Sequence, residues 1–219
     1  MPVSVWIKQH IKDPVSSLTH AFGAVLALAG LIVLVQQSIY LKDDIRFFGT
    51  AVFGVSMVLL YTASSVYHWL LLDERGTLLL RKLDHAMIYI LIAGTYTPYC
   101  LLAMDGTTKW AYLISIWVLA KAGILVKLVW FHAPRWLSTG FYIFMGWLAV
   151  WSLPNMAGNI PQAALNWTIT GGLFYTLGAI IYIFRRPDPW PRVFGFHEIW
   201  HIFVLAGTAS HFWAVYRYM

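Results

Sequence analysis

Seven apolar runs, poor in charge and separated by short polar breaks, occupy most of this chain: residues 17–37, 47–71, 84–103, 109–130, 137–153, 165–184 and 198–217. A helix needs about 17–25 such residues to cross roughly 30 Å of hydrocarbon. Inside lipid the backbone must satisfy its own hydrogen bonds, so runs of this length fold as helices. The pattern predicts an all-α membrane protein, a seven-transmembrane-helix bundle, with residues 1–219 forming a single integral membrane domain. With 60% hydrophobic and 11% charged residues, the chain lies outside the range of soluble domains.

The breaks carry turn formers and charge: Lys42-Asp43-Asp44, Asp73-Glu74-Arg75-Gly76, Asp105-Gly106, Ala133-Pro134-Arg135 and Arg185-Arg186-Pro187-Asp188-Pro189. Trp69, Trp110, Trp130, Trp136, Trp151 and Trp167 fall near run ends, as in an interfacial aromatic belt. The first run contains Ala27-Leu28-Ala29, which mimics a signal cleavage site. It continues past that point to Val35, and is read as a span. One cysteine, Cys100, excludes an intramolecular disulfide.

Basic residues orient the bundle. One side receives Lys8, Lys12, Arg75, Arg81, Lys82, Lys127, Arg135, Arg185, Arg186 and Arg192; the other receives Lys42, Arg46, Lys109 and Arg217. This asymmetry predicts a cytoplasmic N-terminus and a multi-pass protein of the cell's inner (cytoplasmic) membrane. The net charge of +6 then reflects topology and contact with anionic lipid headgroups, and no basic surface is left for nucleic acid.

Polar residues placed on this topology converge. His68 lies near the inner end of the second span, Asp84 and His85 open the third, and His197, Glu198 and His201 open the seventh. Ser64 stacks one turn from His68, and His197 shares a face with His201, because residues four apart align on a helix. Ser64, His68, Asp84, His197 and His201 therefore occupy one shallow layer near the cytoplasmic boundary. Ionisable groups within spans are costly and by default mark function.

Three neutral imidazoles are a common catalytic ligand set for zinc, leaving a position for water. A bound zinc lowers the pKa of that water toward ~7. Asp84 or Glu198 can accept its proton, and Ser64 can hydrogen-bond a developing oxyanion. The plainer alternative makes these histidines interfacial residues that bond headgroups or backbone. His10, His20, His85, His132 and His211 fit the set less well and are read in that structural way. His197-Glu198-Ile199-Trp200-His201 also matches H-E-x-x-H, with Glu198 as the base of an intramembrane metalloprotease. No third-ligand extension follows it, and Glu198 also suits a helix N-terminus electrostatically.

Taken together, Asp13-Pro14-Val15-Ser16-Ser17-Leu18-Thr19-His20, Ser64-x-x-x-His68, Leu83-Asp84-His85, Ala93-Gly94-Thr95-Tyr96-Thr97-Pro98, Phe196-His197-Glu198-x-x-His201 and Gly207-x-x-x-His211-Phe212 form a specific set. The chain resembles, over nearly its whole length, the bacterial haemolysin III proteins of the progestin and adiponectin receptor superfamily. The resemblance implies a seven-helix bundle with zinc held by His68, His197 and His201, and with Ser64 and Asp84 at the metal. It also implies kinship with hydrolases of lipid amides such as ceramides.

The expected function is a zinc-dependent hydrolase of lipid amides or esters, acting on membrane lipids, with Asp84 and Ser64 catalytic. The alternative is a non-enzymatic membrane sensor or regulator with structural zinc; weaker readings are a haemolytic pore former and the protease. Pro98 is expected to free the Gly94 carbonyl and bend its helix, with Thr95 and Thr97 compensating, and either to open a lipid-accessible cavity at the kink or to serve packing alone. Lys121, in the middle of the fourth span, is expected to line a wet cavity unless that span is displaced. Gly23, Ala27 and Gly30, with Gly171 and Gly172, are expected to permit close helix packing.

Overall fold

The computed structural model describes residues 10–191 and 193–219. Lys8 and Arg192, both counted toward the orientation, lie outside the described residues. The described chain forms seven helices: α1 (Pro14–Leu41), α2 (Asp44–Trp69), α3 (Glu74–Ala103), α4 (Thr108–Val129), α5 (Arg135–Met156), α6 (Gln162–Phe184) and α7 (Phe196–Tyr218). Helices α1 to α6 are long and apolar enough to cross a membrane. Helix α7 has 23 residues, but His197, Glu198, His201, Thr208, Ser210 and His211 dilute its apolar character.

Polarity is distributed as lipid would require. Phe22, Val25, Ile114, Val118, Leu173 and Leu177 are exposed on the outside, while Ser16, Thr50, Ser64, Thr97, Thr168 and His201 are buried within. That is the reverse of a soluble bundle, in which water takes the polar face. The six tryptophans assigned to the interfaces are all exposed. Together these features make the chain a multi-pass membrane protein.

Helix α3 begins ten residues earlier than hydropathy suggests, at Glu74 rather than Asp84. The Asp73 carboxylate accepts the Gly76 N–H at 2.9 Å and caps it. The added turns carry Arg75, Arg81 and Lys82, so no apolar window registers them. At ~1.5 Å per residue, α3 reaches roughly 45 Å, enough to pass through the headgroup layer as well. Asp84 therefore sits in the third turn, not the first. Helix α2 stops at Trp69, two residues short of the expected end, because Leu70 is extended. Its last carbonyls are taken by the N–H groups of Asp13 (to His68, 2.9 Å) and Lys12 (to Trp69, 3.3 Å). This backbone clamp fixes the entry to α1 against the exit of α2.

Helix α1 packs on α2 and α7, α2 on α3, α3 on α4 and α5, and α6 on α5 and α7. The approach of α2 to α3 is close: a Cβ added at Gly94 would collide with Ser56 Oγ, and one added at Gly49 would lie 3.3 Å from Pro98 Cα. Pro98 is thus a packing surface for α2 and does not line the main cavity. The threonine hydroxyls donate to Leu91 and Ala93, so neither serves the Gly94 carbonyl that Pro98 frees. Gly94→Leu is expected to overpack this contact at a cost of about 1–3 kcal/mol or more, lowering the thermal midpoint in detergent.

Gly23, Gly30 and Gly171 also meet neighbouring side chains closely, whereas a Cβ at Gly172 would meet nothing within 4 Å. Gly172 instead borders the cavity. Helix α4 lies within one residue of its expected span, so Lys121 is not misplaced. Lys121 is exposed and does not line the cavity, which corrects that expectation. On the outer face its stem can carry the ammonium toward headgroups. The cationic residue of α4 that reaches the cavity is Lys127.

Candidate metal centre

The exit of α2 and the entry of α7 meet at one end of the bundle, beside the entry of α1. His68 and His197 bring their Nε2 atoms to 3.2 Å. With His201 they offer donor atoms that all lie within 4.8 Å of one another. Two nitrogens bound tetrahedrally at about 2.0–2.1 Å from zinc stand about 3.3 Å apart, so the His68–His197 spacing suits one metal ion. The three side chains could hold a metal.

Tautomers are set by the neighbours. Asp13 Oδ2 accepts from His68 Nδ1 at 2.9 Å, which leaves Nε2 with its lone pair toward the other imidazoles. The Asp13 carboxyl is held below the ordinary carboxylate range, first by this hydrogen bond. The Thr19 hydroxyl donates to the carbonyls of Val15 and Ser16 and stands 3.4 Å from His201 Nδ1 as an acceptor. His201 is directed in the same sense. Sequence reasoning gave Asp13 no role at the site beyond its place at the head of the Asp13–His20 motif.

His20 was read as peripheral, and the structure places it beside the centre. Its ring stacks on His201 with centroids 3.6 Å apart and planes 7° from parallel. It is buried, and neither ring nitrogen makes a hydrogen bond among the described residues. His85 Nδ1 donates to the Arg81 carbonyl at 2.8 Å, and His211 pairs with the Tyr99 hydroxyl at 2.9 Å; both lie outside the cluster.

Glu198 is fully engaged elsewhere. One oxygen accepts the Gly195 N–H at 2.8 Å and the other the Ser16 hydroxyl at 2.6 Å. These bonds cap α7 and tie it to α1, leaving the carboxylate poorly placed as the base that a zincin requires.

A cavity of about 660 Å³ opens beside the histidines and runs between α3, α5, α6 and α7. His197, His201, Ser64 and Asp84 all line it, so four of the five predicted site residues share one space. Asp84 stands 3.6 Å from His85 Nδ1. Ser64 is 1% exposed, and its hydroxyl has no hydrogen-bonding partner among the described residues. A buried orphan hydroxyl is costly unless something else satisfies it, and here it faces the cavity.

Residues 8–212 match the family described as Haemolysin-III related. The chain belongs to the haemolysin III family. It is 34% identical to "Hemolysin-3" of Bacillus cereus over 212 residues, covering 96% of this chain and 94% of that protein. Against the "Hemolysin-3 homolog" of Bacillus subtilis (strain 168) it is 34% identical over 209 residues, covering 95% of each. The adiponectin receptor protein of Drosophila melanogaster is 29% identical over 232 residues, covering 92% of this chain and 50% of that one. The haemolysin III family thus falls within the progestin and adiponectin receptor superfamily. The matched region contains Asp13, Ser64, His68, Asp84, His197 and His201.

Proposed function

We propose that this haemolysin III protein spans the cytoplasmic membrane seven times with its N-terminus inside, binds zinc through His68, His197 and His201, and hydrolyses a lipid amide or ester at the inner face. The observation that carries the reading is the position of the histidine cluster at a largely apolar cavity also lined by Asp84 and the unpartnered Ser64. When bound, zinc supplies Lewis acidity, polarising a carbonyl and lowering the pKa of water toward ~7.

The chain's own residues do the rest. The cavity walls take up the acyl chains and exclude water from them. Asp13 holds His68 in the ligating tautomer. Asp84 accepts the proton of the attacking water and returns it to the departing amine or alcohol. Ser64 donates its hydroxyl hydrogen to the carbonyl oxygen as negative charge develops there.

The test is turnover of long-chain lipid amides and esters by the full chain in nanodiscs. Activity is expected to vanish on chelation and return with zinc. A second reading is favoured by the tie from Glu198 to Ser16 and from Asp13 to His68, which bind α1 to both zinc-bearing helices. In it the metal is purely structural, in a sensor or regulator. Zinc-loaded protein that unfolds at lower temperature on chelation, yet turns over no lipid amide or ester, would establish that reading and sink the hydrolase.

A further inference from the structure

The cavity carries more positive charge than a neutral lipid amide requires. Its charged lining residues other than histidine are Arg81, Lys127, Arg135, Arg185 and Asp84. The four cations come from α3, α4, α5 and the residue just past α6, so the fold gathers them and no single basic run does. Among the described residues none of the four pairs with a carboxylate.

Three of them, Arg81, Lys127 and Arg135, are held without being neutralised. Lys127 is 7% exposed, and its Nζ donates to Ser138 Oγ at 3.2 Å. The Arg81 guanidinium and Lys127 Nζ lie 5.2 and 5.1 Å from the centroid of the Phe131 ring. The Arg135 guanidinium lies 4.6 Å over Tyr182 and donates to the Tyr182 carbonyl at 3.3 Å. Aromatic faces and a hydroxyl position cations and leave their charge intact. A merely solvated inner face would not bury Lys127, since a buried cation without an anion is costly.

We propose that this end of the cavity is a headgroup site for a phosphate-bearing anionic lipid, whose acyl chains lie in the apolar remainder. The assignment rests on the reading of the cavity as the lipid site and names its substrate class. Several convergent cations suit a multiply charged phosphate better than a single carboxylate, and guanidinium groups match phosphate bidentately. A lipid is favoured over free phosphate because the cavity continues from the cations past Ile88, Ile92, Tyr96 and Leu153 to Met104 and Met156. From Asp84 to Met104 the distance along α3 is roughly 30 Å, comparable to the hydrocarbon thickness. Gly146 and Gly172 border the cavity, and open space lies where their Cβ atoms would stand.

The experiment is native mass spectrometry of the full chain in neutral detergent, titrated with phosphatidic acid, diacylglycerol of the same chains, or inorganic phosphate. Phosphatidic acid is expected to bind about tenfold tighter than diacylglycerol, matching the loss of charge-assisted hydrogen bonds. Lys127→Gln/Arg135→Gln should erase that preference, and Lys127→Arg should keep it. Arg81→Gln, at an exposed position, should weaken it severalfold without disturbing the fold. Lys121→Gln, on the outer face of α4, should leave it unchanged.

Equal binding of phosphatidic acid and diacylglycerol would overturn the proposal, as would an equal loss in Lys121→Gln. Inorganic phosphate binding as tightly as phosphatidic acid would also overturn it in favour of a free anion. The titration is repeated after chelation. Phosphatidic acid preference without turnover of any lipid would sink the hydrolase reading alone. Turnover of neutral lipid amides with no phosphate preference would sink this proposal alone.

Discussion

Protein purified without chelators is expected to carry about one zinc per chain, and His68→Ala/His197→Ala/His201→Ala to carry none. Removing one imidazole leaves two donors, and removing all three leaves the end of the bundle with no ligand set among its described residues. Asp13→Asn should fall between these limits, weakening binding about 10–100-fold, the usual effect of losing a carboxylate that orients a ligating histidine. Asparagine can no longer offer His68 Nδ1 a charged acceptor, so the tautomer that frees Nε2 is less favoured. The sign of the pH effect follows. A carboxyl with a depressed folded pKa contributes stability above its unfolded value, and that contribution is lost only as the pH falls through the lowered folded one. Asp13 therefore stays ionised well below neutral pH, and metal should leave on acidification because protons compete with it for ligand nitrogens. Metal content across a pH series, for wild type beside Asp13→Asn, checks both statements; undiminished affinity in Asp13→Asn would remove the carboxylate from the site.

The histidine cluster was legible because two simple periodicities coincide. Residues 197 and 201 share a helix face, and alternating spans return His68 to the same end of the bundle. Asp13 was not legible as a partner. Its contact spans 55 residues and depends on the Asp13 N–H reaching the His68 carbonyl, a bond that exists only once α1 and α2 are packed. The start of α3 was hidden for a different reason. Hydropathy sees the membrane, whereas Asp73 caps a helix whose first turns are too charged to lie in hydrocarbon. The cations around the cavity entered the sequence reading only as loop charges, and their convergence from four separate elements is a tertiary fact. His20 shows the limit most plainly: its i,i+4 neighbours carry no histidine, and stacking on His201 across 180 intervening positions leaves no trace in local spacing.

Asp84→Asn and Ser64→Ala are expected to part from the histidine variants by keeping zinc while losing turnover. Asp84→Asn removes the proton acceptor and should lower kcat about 10²–10⁴-fold, the range of general acid–base contributions. Ser64→Ala removes a hydroxyl that has no partner among the described residues, so its loss should cost little stability and about 10²–10³-fold in kcat. A structural role would produce the opposite pair of results, with altered thermal midpoints and intact turnover. Glu198→Gln supplies the contrast. Both Glu198 oxygens are already committed, to Gly195 and Ser16, so that variant should destabilise the junction of α1 and α7 and leave the chemistry of correctly folded protein nearly unchanged. A loss of kcat in Glu198→Gln at wild-type stability, beside an active Asp84→Asn, would transfer the base from α3 to α7 and revive the metalloprotease-like arrangement. The difference rests on one geometric fact: Asp84 borders the cavity that Ser64 faces, and Glu198 does not.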